Sequence, residues 1–163
     1  MQIFVDADAF PQVLRELLFR AVEREKIKLI MVSNQRQRLP VSSYISALVA
    51  PEGFNAADDQ IVELVQSGDL VITADIPLAD RAITRRAQVL NPRGEVYTEA
   101  NIKNRLAMRN LMDELRVSGE VTGGPAPFNA KHREAFANQL NRILCQAAAK
   151  AKNAAKPAAE KLP

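Results

Sequence analysis

Asp6 and Asp8 directly continue Ile3-Phe4-Val5, a short apolar run of the kind that forms a buried strand. Asp75 follows Leu70-Val71-Ile72-Thr73-Ala74 in the same way, and Asn55-Ala56-Ala57-Asp58-Asp59 opens a helical pattern with two more carboxylates. A carboxylate that prolongs an apolar strand is costly to keep charged unless something compensates it, and several carboxylates side by side repel one another. A hard divalent cation is the economical compensation. Mg²⁺ or Mn²⁺ takes one or two carboxylates directly and others through water, which leaves positions for phosphate oxygens. Such a centre stabilises charge and activates water in phosphodiester hydrolysis. Asp6, Asp8, Asp58 and Asp75 are therefore the candidate catalytic and metal-ligating groups, with Asp59 as a further candidate ligand.

Each of these residues also has a plainer use. Asp8 and Asp75 stand shortly before Pro11 and Pro77, where they suit helix N-caps. Asp58 and Asp59 would complement the positive end of a helix. Asp6, at the end of a strand, is the hardest to explain without chemistry. Candidate substrate contacts are Asn34, Arg36 and Arg38 after the second apolar run, Thr73, and the Arg81 and Arg85 pair, which shares a helix face at i,i+4. Solvated surface accounts for these cations equally well, and the same holds for Lys103, Arg105 and Arg109.

The elements that must position these groups alternate along the chain. β-rich runs at 3–5, 29–32, 47–49, 70–72 and 88–90 suit strands buried on both faces, and helical patterns cover 11–25, 58–66, 77–86, 99–116 and 130–149. Alternation of this kind predicts an α/β fold with a mostly parallel sheet between helices. Ligands in such sheets bind beyond the carboxyl ends of the strands, where Asp6, Asp8 and Asp75 emerge. If the first and fourth strands are neighbours, these carboxylates converge. The segment containing Thr122-Gly123-Gly124-Pro125 is read as a connector; its amides could alternatively form an anion-binding concavity, but it lacks the P-loop lysine.

Residues 1–145 hold 18 Lys and Arg against 18 Asp and Glu, so they are neutral and make one α/β domain. The net charge of +3 comes from residues 146–163, an Ala/Lys-rich tail expected to be a frayed helix passing into disorder. The single cysteine, Cys145, and single histidine, His132, exclude a disulfide within the chain and argue against a Cys/His zinc site. With no long apolar run and an acidic amino-terminal segment, a cytoplasmic protein without membrane attachment is expected. The absence of Trp and an aromatic share of 5% leave few platforms for stacking single-stranded bases.

Five strings in order resemble the YaiI/YqxD family of bacterial proteins: Val5-Asp6-Ala7-Asp8-Ala9-Phe10-Pro11, Ala57-Asp58-Asp59, Ile72-Thr73-Ala74-Asp75-Ile76-Pro77, Leu90-Asn91-Pro92-Arg93-Gly94 and Thr122-Gly123-Gly124-Pro125. The resemblance runs from Met1 to about Leu144. It implies a PIN-like nuclease fold, a three-layer α/β/α sandwich with an acidic metal site, and brings no established substrate; the expected partner of a metal-dependent nuclease site of this kind is nucleic acid, RNA ahead of DNA. The acidic positions of the family fall on Asp6, Asp8, Asp58 and Asp75, with Asp59 as a fifth. Two positions depart from it: Phe10 stands where the family usually has cysteine, and Arg15 where it often has lysine. Two other readings are a PIN-like module that binds RNA or protein without turnover, and a phosphatase resembling the haloacid dehalogenases with Asp6 as nucleophile.

Overall fold

The computed structural model describes residues 1–124 and 126–155. Strand β1 (Gln2–Asp6) leads through a 3₁₀ turn (Ala7–Ala9) into helix α1 (Gln12–Glu25), then β2 (Lys28–Ser33) and β3 (Ile45–Val49). Helix α2 (Ala56–Leu64), β4 (Leu70–Ile72), α3 (Ile76–Thr84) and β5 (Gln88–Leu90) follow. A short β6 (Val96–Tyr97) precedes two long helices, α4 (Glu99–Val117) and α5 (Ala130–Ala155). The strands form one six-stranded sheet in the order β3-β2-β1-β4-β5-β6, parallel throughout except for the β5–β6 pair.

Alternation of side chains along β1 divides the core in two. Ile3 and Val5 face one layer, with Leu14 and Leu18 of α1 and Phe136 and Leu140 of α5. Phe4 faces the other, with Ile61 of α2, Leu78 and Ala82 of α3 and Ile102 of α4. The protein is thus a three-layer α/β/α sandwich. Full burial of each such side chain contributes about 1.5–3 kcal/mol, so the paired layers hold the sheet from both faces. Phe10, just before α1, sets its ring edge-on to Phe136, centroids 6.0 Å apart. It fills the interface between the two helices of its layer.

Three expectations need correction. β3 is an edge strand with exposed Ser46, Ala47 and Val49 and is not buried on both faces. The sequence reading has no counterpart for β6, because a two-residue strand is too short for a period to show. The second helix begins at Ala56 and ends at Leu64, two residues before the expected end. Beyond these, α5 continues across position 145 as far as Ala155, while residues 156–163 of the expected tail lie outside the described residues.

The strand order positions the site. From β1 the chain proceeds outward through β2 to β3, then returns to the other side of β1 for β4 and β5. The order reverses between β1 and β4, and a crevice opens where the connections at their carboxyl ends part in opposite directions. Right-handed crossovers explain why α1 covers one face while α2 and α3 cover the other.

Candidate active site

Val5 of β1 lies beside Ile72 of β4 in parallel register, so the next residues along, Asp6 and Thr73, emerge together at the crevice. Thr73 is 1% exposed, and its hydroxyl donates to Asp6 Oδ2 at 3.1 Å while accepting from the Asp75 amide at 3.0 Å. One buried hydroxyl therefore ties the end of β1 to the turn that delivers Asp75. Asp75 is the N-cap of α3, its Oδ1 accepting from the Leu78 amide at 2.9 Å. The capping use expected of Asp75 holds, and it occupies one of the two carboxylate oxygens.

Asp8 serves no helix. α1 begins after Pro11 with no side-chain cap, and Asp8 Oδ2 instead accepts from the amide of Asn34, 2.8 Å away on the loop after β2. This bond brings the loop carrying Asn34, Arg36 and Arg38 to the same edge as Asp6. Asp58 arrives from a third direction, in the first turn of α2, whose N-cap Asn55 adopts a left-handed conformation. Asp59 points elsewhere and pairs with Arg81 at 2.9 Å.

The electrostatics show that four of these carboxylates share one neighbourhood. Asp58 is raised from the ordinary 3.8 to about 6, first by burial and then by the negative charges of Asp75 and Asp6, with Arg81 opposing and Asp59 adding to the rise. Burial also raises Asp6; the Thr73 hydrogen bond works against this, and the charges of Asp75 and Asp8 reinforce it. Removing water from a carboxylate and placing like charges nearby both disfavour the ionised form.

The donor set is all oxygen, which suits a hard cation. Among the described residues, no three His, Cys, Asp or Glu side chains are gathered closely enough to hold an ion between them. Asp6, Asp8 and Asp75 each spend an oxygen on an internal donor. This donor set would allow at most a largely hydrated hard cation touched by one or two carboxylates. It does not fit a closed cage of protein ligands.

The remaining candidates divide by position. α3 runs away from the crevice, so Arg81 reaches Asp59 across to α2. Arg85, at the far end of α3, donates to the Glu63 carbonyl at 3.2 Å and lies outside the site. Lys103 pairs with Asp80 at 2.8 Å, and His132 exchanges capping hydrogen bonds with Asn129 ahead of α5. Gln12 and Gln37 lie beside Arg15 near Asp8 and were not among the sequence candidates. Only the placing of Gln37 between Arg36 and Arg38 could have signalled it.

Fold and site together define a three-layer α/β/α protein with an acidic crevice where its parallel sheet reverses order. Residues 4–146 match the model of the family described as "Uncharacterized BCR, YaiI/YqxD family", and the chain belongs to that family. It is 55% identical over 146 residues to the UPF0178 protein of Dechloromonas aromatica, covering 90% of this chain and 97% of that one. The UPF0178 protein of Maridesulfovibrio salexigens is 53% identical over 144 residues, covering 88% and 95% of the two chains. That of Shewanella amazonensis is 54% identical over 146 residues, covering 90% and 98%. No solved structure gives a significant match. No helix among the described residues is long and apolar enough to cross a membrane.

Proposed function

We propose that the protein is a PIN-like, metal-dependent nuclease that hydrolyses phosphodiester bonds, with RNA as its expected substrate. The observation that carries this reading is the mutual repulsion of Asp6, Asp8, Asp58 and Asp75, opposed in the case of Asp58 only by Arg81. Carboxylates gathered by two strand ends, a helix start and a 3₁₀ turn place like charges together, which raises Asp6 and Asp58, and a dication would relieve that repulsion. A bound Mg²⁺ or Mn²⁺ would supply charge stabilisation and water activation.

The chain's own residues would prepare the centre. Asp6, fixed by Thr73, and Asp75, fixed by its cap on α3, each keep a second carboxylate oxygen that a cation could use. Asp58, pushed up to about 6, is mostly ionised at neutral pH and completes the negative charge. Asp8, held by the Asn34 amide, keeps the loop with Arg36 and Arg38 beside the site, where those guanidiniums can receive the phosphate backbone. A cytoplasmic location is part of the same proposal.

The test is cleavage of end-labelled RNA and DNA by the purified chain. Fragments are expected with Mn²⁺ or Mg²⁺ and not with EDTA, and Asp6→Asn is expected to lower the rate by about 100-fold or more while the circular dichroism spectrum stays unchanged. A rate that ignores both metal and Asp6 removes the proposal. A phosphoaspartate trapped at Asp6 would favour phosphomonoester chemistry instead, and tight RNA binding without turnover in any metal would favour a binding module.

A further inference from the structure

Next to the aspartates the charge changes sign. The 3₁₀ turn, the first turns of α1 and the loop after β2 border an open cavity of about 460 Å³. Asp8 borders it, and Gln12, Arg15, Arg36, Gln37 and Arg38 line it. Three arginines thus line one cavity, and their guanidiniums are always charged. Some cations elsewhere have carboxylate partners, as Arg81 has Asp59 and Lys103 has Asp80. Among the described residues, no carboxylate oxygen lies within 4.0 Å of a guanidinium nitrogen of Arg15, Arg36 or Arg38.

Arg15 carries the more specific signal. Its side chain is only partly exposed, and one terminal nitrogen donates to Gln37 Oε1. Its Nε is buried and has no acceptor among the described residues. A buried charged donor without an acceptor is a standing cost, and it belongs to a side chain that lines the cavity. The start of α1 adds to the field. It has no side-chain cap and no acidic residue in its first turn, and Gln12 of that turn lines the cavity.

We propose that this cavity binds the terminal phosphate of a nucleic-acid strand, so that the nuclease acts at phosphorylated ends. The inference rests on the nuclease reading and adds the substrate class. A terminal phosphomonoester carries about −1.5 to −2 charges near neutral pH and three unshared acceptor oxygens. An internal diester carries one charge and two such oxygens, a poorer match for three arginines and an unsatisfied Nε. Because Asp8 borders the cavity and also acts on Asp6, a terminal phosphate seated there brings the adjoining diester to the aspartates.

The test is equilibrium binding by the full chain in EDTA, where hydrolysis is suppressed. Three hexaribonucleotides of one sequence, bearing a 5′-phosphate, a 3′-phosphate or hydroxyls at both ends, compete against an internally labelled strand. One phosphorylated strand is expected to bind about tenfold more tightly than the unphosphorylated one, and which one identifies the polarity. The preference should fall to within about twofold in Arg15→Gln and in Arg38→Gln. The exposed Arg38 position keeps the test decisive if Arg15→Gln perturbs folding. Equal binding of all three strands overturns the inference, as does a preference that survives in Arg38→Gln and in a folded Arg15→Gln. Loss of Mn²⁺-dependent cleavage with the end preference intact would instead count against the nuclease reading alone.

Discussion

Thr73 and Asp58 show how single groups set the character of the site. The Thr73 hydroxyl gives Asp6 a hydrogen bond in return for its burial and gives the Asp75 amide an acceptor. Among the described residues Asp58 has no comparable donor, and its carboxyl is pushed to about 6. The native state therefore binds more protons than the unfolded chain between the two values. The stabilisation associated with that proton is complete below about pH 4 and is lost as pH rises through about 6. Asp58→Asn should accordingly make the metal-free protein more stable near pH 7.5, by about 1 kcal/mol once solvent screening of a partly exposed group is allowed for. Urea melts of both proteins at several pH values would measure this, and the advantage should vanish below about pH 4. A constant difference across the range would show that Asp58 does not titrate as assigned.

At the scale of elements, the hairpin between β5 and β6 explains a motif with no evident chemistry. Asn91 accepts from the Gly94 amide and donates its own amide to the Glu95 carbonyl, while its side chain bonds the Tyr97 hydroxyl at 2.8 Å. Gly94 takes φ +90°, and a Cβ there would lie 2.5 Å from the backbone of Ala135 in α5. The hairpin therefore presses its glycine directly onto α5, and no side chain fits between them. Gly94→Ala is expected to cost about 3 kcal/mol from overpacking and backbone strain together, measurable as a lower urea midpoint. An unchanged midpoint would mean that α5 can withdraw without loss. Asp69 provides a contrast with the site aspartates. Only 7% exposed at the opposite end of β4, it accepts from the amides of Gln2 and Gln66 at 2.9 Å and serves to hold strand ends.

For the whole molecule, reversal of strand order between β1 and β4 draws residues 6, 8, 58 and 75 to one edge. A dication bound there interacts with segments that unfolding separates, so it should stabilise the entire fold by mass action. Saturating Mn²⁺ is expected to raise the thermal midpoint by about 5 °C near pH 7.5, consistent with about 2 kcal/mol for a chain of this size. The rise should shrink near pH 5, where Asp58 is largely protonated, and should be lost in Asp6→Asn. Differential scanning calorimetry distinguishes these cases. Equal shifts for wild type and Asp6→Asn would place the ion elsewhere on the molecule.

Composition and periodicity were sufficient for the α/β class, the five principal strands, the five helices and the carboxyl-end position of Asp6, Asp8 and Asp75. Those features depend on neighbours in the chain, which a one-dimensional pattern records. The partition of the acidic residues was decided only in three dimensions. Asp58 joins the crevice while the adjacent Asp59 turns to Arg81, because successive residues on a helix point about 100° apart and only packing of α2 fixes which one faces the sheet edge. Likewise, Arg15 meets Arg36 and Arg38 across more than twenty positions, and Arg85 is carried out of reach by the direction of α3. Contacts between distant segments depend on strand order and helix direction, and local sequence carries no direct record of either.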